Sequence, residues 1–387
     1  MVRELQVASQ DRRAAPHLLD ITMFWSPRGG GVARYLRTKR DWLAAHSSWR
    51  HTIMTPGPST TETSGIAAPA LPFSDGYRFP LRRAAAARAI VRARPDLIEV
   101  GDPYRFAWAA LDAGQQLGVP VAAVYHSNVD ALTQRWLPRS ARVWVQRYLR
   151  HLYRSFDVVF APSRWAADAL HDIGLDNVVI QAHGVDCDLF HPRRYDAQWR
   201  RELGCVPADV VLLYAGRFAP EKNLDQLAAA VERLGAPYVL IAIGDGPRSP
   251  NGARVRVLPY ESEPTLLARA LASADVFVHA GDQETFGLAP LEALACGTPV
   301  VARASGGLND LVDGRAAIGV ERADPSAFAE AIASIAPVAA SLRAPARQRA
   351  LEFDAQRAFS RLFNRYTALC LSARVGDAGP KEERYAA

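Results

Sequence analysis

Apolar residues along this chain fall in short continuous runs and do not alternate with polar residues. Five runs occupy the first half, LLDITMFW, DLIEV, VPVAAVYH, VVFAPS and NVVIQAHG, and five the second half, VVLLYAG, YVLIAIG, VRVLPY, VFVHAG and TPVVARAS. Such β-branched runs are typical of parallel strands that helices cover on both faces. Amphipathic segments between them, such as NLDQLAAAVERLG, indicate βαβ units. The pattern predicts an α/β fold with two doubly wound, Rossmann-like domains.

A polar segment that contains prolines separates the two sets of runs. It covers residues 188–209, DLFHPRRYDAQWRRELGCVPAD, and a new apolar run begins directly after it. We therefore predict an N-terminal domain at residues 1–190 and a C-terminal domain at 191–350. A last helix is predicted at residues 351–371, and the polar residues 372–387 are expected to be disordered. A chain of 387 residues is long enough for two cores of ordinary size.

Composition narrows the class of protein. Hydrophobic residues make up 49% of the chain and charged residues 22%, which is the profile of a soluble globular protein. No run of 18 apolar residues occurs, so no membrane-spanning helix is predicted. The first 21 residues lack the apolar core of a secretory signal. The four cysteines are scattered and form no C-x-x-C pair, so we expect neither disulfides nor a zinc site, and a cytoplasmic location.

The net charge of the chain is +6, and arginine supplies nearly all of the positive charge. Such an excess suits a phosphate-bearing ligand, an anionic membrane surface or nucleic acid. It also follows from an Ala- and Arg-rich composition alone. Nucleic acid is the least favoured partner, because no recognition motif that combines basic and aromatic residues is present.

Two glutamates stand eight residues apart in GDQETFGLAPLEALACGTPVV, residues 281–301. Glu284 follows the strand VFVHA, in the kind of loop where doubly wound folds bind ligands. Pro290 suits the first position of a helix and Gly297 the position just past its end, so Glu292 is predicted in the first turn. The helix dipole alone also favours a carboxylate there, which is the structural alternative for Glu292.

A second polar cluster, YAGRFAPEKNLDQL, follows the strand that ends at Gly216. Arg217 and Lys222 lie in the loop that leads into a helix. A guanidinium fork and an ammonium point charge at such a turn suit a diphosphate. A solvated basic loop is the alternative.

A third cluster, SPRGGGVARYL, follows the first strand and opens a helix. Its glycines, including Gly30 and Gly31, would let a ligand approach the backbone, and a helix N-terminus favours anions. The cluster is not the dinucleotide fingerprint of an oxidoreductase. Arg34 replaces the last required glycine, and no suitably placed acid follows.

Together the three clusters resemble the retaining GT-B glycosyltransferases of the large GT4 family. Their order is a Gly-rich turn, then G-R-x-x-x-E-K-N, then E-x7-E followed by G-T-P-V-V. HGVDCDLFHP also resembles the family's N-G-V-D-x-x-x-F-x-P run, and GGLNDLVDG its G-G-x-x-E-x-V-x-D-G. The resemblance covers about residues 18–370. It implies two domains that face a central cleft, a last helix that crosses back to the N-terminal domain, and hexose transfer from a nucleotide sugar without a metal or other cofactor.

The resemblance also implies roles for individual residues. Arg217 and Lys222 would bind the donor diphosphate, Glu284 the hexose hydroxyls, and Glu292 the nucleotide ribose. His126, in AVYHSNVD, would line the cleft near the transferred sugar, and a satisfied imidazole at a strand end is the alternative. Further donor contacts are implied for Gly30, Gly31, Gly244, Phe286, Gly287 and Leu288.

Two departures from the family pattern and one unrelated motif remain. His183 stands where the family has asparagine, and Asp310 stands where it has glutamate, a change that bears on helix packing near the cleft. Asp186 and Asp188 form a D-x-D, the metal signature of a different glycosyltransferase fold. Because this D-x-D lies in the run before the interdomain segment, no metal role is expected for it.

The donor and acceptor are the least determined features. Likeness to bacterial α-mannosyltransferases in PDLIEVGDPY and YHSN favours GDP-mannose over a UDP-hexose, and the acceptor is expected to be a glycolipid or a saccharide. A non-catalytic nucleotide-sugar-binding protein is an alternative of another class. The presence of all four charged site residues argues against that alternative.

Residues 137–156, LPRSARVWVQRYLRHLYRSF, predict an amphipathic helix with two interpretations. It either lies on an anionic bilayer or covers the sheet with a solvated arginine face. A glycolipid acceptor would make the enzyme peripheral to the cytoplasmic leaflet. At 100° per residue one side carries Arg139, Arg142, Arg147, Arg150 and Arg154, and the other Ala141, Val145, Tyr148, Leu149 and Leu152, with Trp144 at the border.

Overall fold

Two parallel sheets organise the chain, one in each half. The structure, a computed structural model, describes residues 15–25, 30–66, 70–72, 77–80, 82–128 and 139–375. In the first half the strands are β1 (His17–Ile21), β2 (Arg50–Pro56), β3 (Ser64–Ile66), β4 (Ala70–Pro72), β5 (Arg78–Pro80), β6 (Leu97–Val100), β7 (Val121–Val124), β8 (Val158–Ala161) and β9 (Val178–Ile180). In the second half they are β10 (Val210–Ala215), β11 (Tyr238–Ile243), β12 (Val255–Leu258), β13 (Val276–His279), β14 (Val300–Arg303) and β15 (Ala317–Val320).

Helices connect these strands and cover both faces of each sheet. The first half contains α1 (Gly31–His46), α2 (Arg83–Ala93), α3 (Arg105–Leu117), α4 (Arg139–Tyr153) and α5 (Arg164–Asp172). The rest of the chain contains α6 (Ala197–Glu202), α7 (Leu224–Leu234), α8 (Pro264–Ser273), α9 (Leu288–Ala295), α10 (Pro325–Ile335), α11 (Ala339–Leu351) and α12 (Ala355–Val375).

The strand order of each sheet reverses once. The first sheet runs β3-β2-β1-β6-β7-β8-β9 and the second β12-β11-β10-β13-β14-β15, while β4 and β5 form a separate antiparallel pair. The reversal lies between β1 and β6 in the first sheet and between β10 and β13 in the second. Doubly wound sheets bind ligands beyond the carboxyl ends of the strands at this point. The topology therefore places a candidate site after β1, β10 and β13.

Each of the ten apolar runs contains a strand, so the predicted α/β fold with two Rossmann-like domains is confirmed. The runs missed β2, β3, β15 and the β4–β5 pair. In β2 only the last four residues are buried, and the strand begins with Arg50 and His51, so its apolar pattern is weak. β15 is only four residues long, AIGV, and contains a glycine.

The last helix, α12, packs against the first sheet. Its apolar face, including Phe359, Leu362 and Tyr366, is buried with Leu18 of β1 and Leu36 of α1. α12 continues to Val375, so the predicted end at residue 371 is wrong. α12 itself contains no glycine or proline, and the first such residue after it is Gly376. Nothing in the sequence therefore ends the helix earlier. Residues 376–387, the rest of the predicted disordered tail, lie outside the described residues.

One stretch of described residues, Pro325–Leu351, is long and apolar enough to cross a membrane by length and composition. A 3-10 turn at Ala336–Val338 divides it into α10 and α11. Phe328 and Ile332 are fully buried on one face of the second sheet, and Ala346 is buried on the other. Part of this stretch therefore packs in the core of the second domain.

Candidate active site

The reversal points of the two sheets face each other across a cleft. A cavity of about 170 Å³ lies there, between the loop after β1 and the loops after β10 and β13. Its walls include eight of the residues predicted from the sequence: Gly30, Gly31, Arg217, Lys222, Glu284, Gly287, Leu288 and Glu292. The walls also include Tyr260, together with Arg34 and His279, for which no role was predicted from the sequence.

Glu284 is held as a charged carboxylate by two neighbours from its own domain. The Lys222 ammonium bonds Glu284 Oε1, and His279 Nε2 lies 3.2 Å from the same oxygen. Burial alone would raise the pKa of Glu284, but the Lys222 charge and the His279 contact outweigh burial and hold that pKa well below its usual range. The carboxylate is therefore ionised and available to accept hydrogen bonds from hydroxyl groups.

The loop that carries Glu284 contacts both domains. Within its own domain, the Gly307 N–H donates to the Glu284 carbonyl at 2.7 Å. A Cβ atom on Gly307 would lie 2.1 Å from the Thr285 carbonyl oxygen, so the close approach requires glycine. Across the cleft, the Thr285 hydroxyl donates to the His126 carbonyl at 2.9 Å and the Ser163 hydroxyl donates to the Thr285 carbonyl at 2.7 Å. The position of Glu284 thus depends on both domains.

Helix α9 begins earlier than predicted. Gly287, with φ 103°, is its N-cap, so Pro290 is the third helical residue and Glu292 the fifth. The predictions of Pro290 in the first position and of Glu292 in the first turn are therefore both wrong. The N–H groups of the first four helical residues have no partner within a helix, so proline costs no hydrogen bond in the third position either. The predicted helix end is confirmed, because Gly297 follows the last turn with φ 77°.

The basic residues after β10 lie at the cleft with different exposures. The Lys222 side chain is 17% exposed, whereas the Arg217 side chain is 50% exposed and donates to Glu221 at 3.2 Å. Asn223 donates from its side chain to the Ala280 carbonyl at 3.1 Å, which ties the loop after β10 to the loop after β13. On the opposite wall Gly30, with φ 118°, is the N-cap of α1, a conformation that favours glycine.

Glu292 is bonded to a residue of the other domain. Arg34 Nη1 donates to Glu292 Oε2 at 2.6 Å, and the Glu292 side chain is 3% exposed. Burial raises the pKa of Glu292, and the Arg34 charge opposes that rise. The partners are 258 residues apart in sequence. No spacing rule within one domain predicts this pair. In the Gly-rich motif, Arg34 was notable only because it stands where the dinucleotide fingerprint requires a glycine.

Three predicted residues lie behind the cavity wall. His126 follows β7 by two residues, and its ring lies 5.3 Å from that of His183 and 5.1 Å from that of Tyr35. The Nε2 atom of His126 is buried and has no hydrogen-bond partner among the described residues, so the ring is not the satisfied imidazole of the alternative interpretation. Burial, then the charges of His183 and Lys39, lower the pKa of His126 well below its usual value.

Phe286 and Gly244 have packing roles in the structure. Phe286 is 2% exposed and meets the His183 ring edge-on at 5.4 Å. A Cβ atom on Gly244 would lie 1.9 Å from the Gly216 carbonyl oxygen, so this glycine lets the loops after β10 and β11 pack together. Their donor contacts stay predictions.

The departures from the family pattern have partners in the structure. His183 is 5% exposed, and burial and the Lys39 charge lower its pKa to about 3, so its ring is neutral. Asp310 accepts a hydrogen bond at 2.9 Å from the Arg164 N–H at the start of α5, which joins the two domains. Asp186 Oδ1 accepts from the backbone N–H groups of Asp188 and Leu189 at 2.9 Å each, so it caps a turn.

Comparison with known proteins agrees with this geometry. The family model described as Glycosyltransferase Family 4 matches residues 29–189, and that described as Glycosyl transferases group 1 matches residues 209–336. A GDP-mannose-dependent α-(1-6)-phosphatidylinositol dimannoside mannosyltransferase of Mycobacterium tuberculosis is 31% identical, over 93% of this chain and 98% of its own length. The chain is a family 4 glycosyltransferase. This glycosyltransferase is also 34% identical to a GDP-mannose-dependent α-mannosyltransferase of the same species, over 58% of the chain and 60% of the relative.

The fold of this glycosyltransferase is also that of solved enzymes. Sucrose-phosphate synthase from Thermosynechococcus elongatus superposes with a TM-score of 0.72 at 22% identity, over 92% of this chain and all of the other. At that identity the likeness concerns the fold alone, and it identifies the two facing parallel-sheet domains as GT-B.

The Lys222–Glu284 pair predicts a pH-dependent contribution to stability. The pKa of Glu284 is depressed in the folded protein, so the pair stabilises the fold fully above about pH 5.5 and loses its effect as pH falls below the usual Glu value of 4.5. Glu284→Gln should therefore melt below the wild type at neutral pH, with a difference that begins to shrink below about pH 4.5 and keeps shrinking as pH falls towards the depressed pKa of Glu284. Thermal denaturation of both proteins across this range measures the difference.

Glu330→Gln is the matched control, since the Glu330 side chain is 75% exposed and its nearest cation lies at 3.7 Å. It should melt like the wild type at every pH. A melting difference for Glu284→Gln that stays constant from neutral to acid pH would contradict the assignment of a charged carboxylate at this position.

Proposed function

We propose that the protein is a retaining, metal-independent α-mannosyltransferase that transfers mannose from GDP-mannose to a glycolipid or saccharide acceptor. The observation that carries this proposal is the Lys222–Glu284 pair at the carboxyl edge of the second sheet, which faces the glycine turn of α1 across one cleft. The relatives named for GDP-mannose support the choice of donor. The name of the full-length relative supports a mannosylated phosphatidylinositol, a glycolipid, as the kind of acceptor.

The proposed reaction breaks the bond between the anomeric carbon and the diphosphate oxygen, whose electron pair goes to the diphosphate. The acceptor hydroxyl forms its new bond to the anomeric carbon on the same face, and its proton goes to the leaving phosphate oxygen. Glu284 binds sugar hydroxyls and does not act as a nucleophile. The chemistry thus depends on stabilising charge on the diphosphate.

Positive potential for that charge comes from two sources. Arg217 and Lys222 extend from the loop after β10, and the N-termini of α1 and α9, at Gly31 and Leu288, open onto the same cavity. Helix N-termini and arginine or lysine side chains are preorganised donors for a phosphate group. This set of groups supplies positive charge at the diphosphate without a metal ion.

Replacing either cation should slow transfer far more than it weakens folding. Arg217→Ala and Lys222→Ala are each expected to lower turnover by about 100-fold or more, as loss of one transition-state donor typically does. The measurement is mannose transfer from GDP-mannose to phosphatidylinositol mannoside at saturating donor. Arg233→Ala, on the exposed side of α7, is the control and should retain wild-type turnover. Wild-type-like turnover in Arg217→Ala or Lys222→Ala would remove that residue from the site.

Ligand-dependent melting identifies the donor. A ligand that binds only the folded state raises its stability, so GDP-mannose should raise the melting temperature of the wild type and have less effect on Glu292→Ala. UDP-glucose, UDP-galactose, UDP-N-acetylglucosamine and NAD complete the panel. Stabilisation by a UDP-sugar alone would replace GDP-mannose with a UDP-hexose donor. Stabilisation by NAD alone, or by none of the ligands, would contradict the proposed function.

We further propose that the outer face of α4 holds the enzyme on the cytoplasmic leaflet, next to a glycolipid acceptor. Leu149 and Leu152 are buried in the first core, so α4 does cover the sheet. Yet Val143, Trp144 and Tyr148 are 50%, 69% and 40% exposed. The helix wheel predicted Tyr148 on the side opposite the arginines. In the structure Tyr148 lies at the edge of the buried face, and its hydroxyl donates to the Pro103 carbonyl at 2.7 Å.

Arginines surround these exposed apolar side chains. Arg142, Arg147 and Arg150 are exposed, and the Arg147 guanidinium lies 5.6 Å from the centre of the Trp144 ring. α4 follows the carboxyl end of β7, so its first turns lie towards the same edge of the sheet as the cleft. Basic and aromatic side chains together suit an anionic bilayer interface.

Vesicle sedimentation tests this surface. The protein should bind vesicles of phosphatidylcholine with phosphatidylglycerol and not vesicles of phosphatidylcholine alone. Arg147→Gln should weaken binding about fivefold, since each arginine near an anionic surface contributes about 1 kcal/mol. Trp144→Ser should also weaken it, whereas Leu266→Ser, which replaces a 48% exposed leucine on α8 of the other domain, should not. Equal loss in Trp144→Ser and Leu266→Ser would contradict a specific membrane surface on α4.

A further inference from the structure

Arg34 is the charged partner of Glu292 across the cleft. Its Nη1 atom donates to Glu292 Oε2 at 2.6 Å, and the Arg34 side chain is 25% exposed while that of Glu292 is 3% exposed. Burial opposes the charge on Arg34, but Glu292 and the Tyr260 hydroxyl raise its pKa, so the guanidinium stays charged. One arginine of the N-terminal domain therefore reaches two polar side chains of the C-terminal domain.

The position of Arg34 on its own helix is unfavourable for a cation. It is the fourth residue of α1, whose first turn contains no acidic residue. The positive end of the helix dipole repels a cation in this position. Glu292 of the other domain supplies the compensating charge, so the reason for an arginine here lies across the cleft.

The cavity is smaller than a typical ligand pocket while this pair is in place. Its volume is about 170 Å³, below the roughly 300 to 1,000 Å³ of typical ligand pockets. Arg34, Tyr260 and Glu292 all line it. A ribose that binds Glu292 must therefore take the place that the Arg34 guanidinium occupies.

We propose that Arg34 is a placeholder in the nucleoside site, bonded to Glu292 in the empty enzyme and displaced by the ribose when the donor binds. The inference rests on the proposed function, in which Glu292 binds the ribose. The pair satisfies a buried carboxylate in the empty cleft, and it competes with the donor for the same oxygen atoms. Arg34 thus lowers the affinity for nucleotides.

The first test needs no nucleotide. Melting temperatures of wild type, Arg34→Ala, Glu292→Gln and the double variant form a cycle that measures coupling in the empty protein. We expect the two single losses to be non-additive, with the double variant close to Glu292→Gln. Arg34→Gln repeats the cycle in case the alanine variant folds poorly. Additive losses in both cycles would overturn the inference.

The second test measures GDP binding by calorimetry. Because the competitor is removed, Arg34→Ala should bind GDP more tightly than wild type by about tenfold or more, which is the scale of one hydrogen bond to a charged group. If Arg34→Ala acted only by disturbing the structure of the cleft, it would weaken GDP binding instead. Arg37→Ala is the matched control one turn along α1, where Arg37 pairs with Glu62 at 2.9 Å on the surface, and it should bind GDP like the wild type.

The outcomes separate this inference from the proposed function. If the wild type binds GDP and Arg34→Ala binds it equally or more weakly, Arg34 is not a placeholder and the inference fails alone. If the wild type binds neither GDP nor UDP, the proposed function fails and the inference fails with it. Tighter GDP binding in Arg34→Ala but not in Arg37→Ala, together with non-additive melting, supports the inference.

Discussion

Each sheet is parallel and covered by helices on both faces, so no side chain in the middle of a strand can reach a polar ligand. Polar chemistry has to lie where the strands end, and the carboxyl ends of all parallel strands lie at one edge. Both sheets reverse their strand order at that edge, between β1 and β6 and between β10 and β13. The two edges face each other, and most cleft residues come from the ends of β1, β10 and β13, the loops after them or the helices that follow, while Tyr260 comes from the loop after β12.

Because the two sheet edges face each other, a charged residue of one domain can be paired with a residue of the other domain. Glu284 has its cation, Lys222, in its own domain, whereas Glu292 depends on Arg34 of the partner domain. Thr285, the residue after Glu284, is also bonded across the cleft to His126 and Ser163. Separation of the domains would therefore break the nucleoside-side pair, whereas the sugar-side pair would lose only the support of Thr285. The sugar and the nucleoside of a nucleotide sugar would then contact ion pairs that depend to different degrees on the contact between the domains.

The sequence predicted what depends on local pattern. Strands buried on both faces appear as continuous apolar runs, so the positions of most core strands along the chain could be predicted. Strands such as β2, in which only the last four residues are buried, give no such run. The site glycines and charges were identified because each cluster directly follows a strand, and ligands bind doubly wound folds beyond the carboxyl ends of the strands. Arg34, His279 and Thr285 were missed because their importance comes from contacts that tertiary packing alone creates.

The two histidines buried behind the cleft, His126 and His183, are neutral and add no positive charge there. Lys39 is fully buried and bonds Asp20 at 2.7 Å and Glu99 at 2.6 Å, and after burial its charge helps to keep His126 and His183 neutral. In the proposed reaction the anomeric carbon gains positive character as its bond to the diphosphate breaks. A cationic imidazole near that carbon would oppose this change, and the neutral rings of His126 and His183 do not. In the proposed reaction, Arg217 and Lys222 then supply positive charge where it helps, at the diphosphate leaving group.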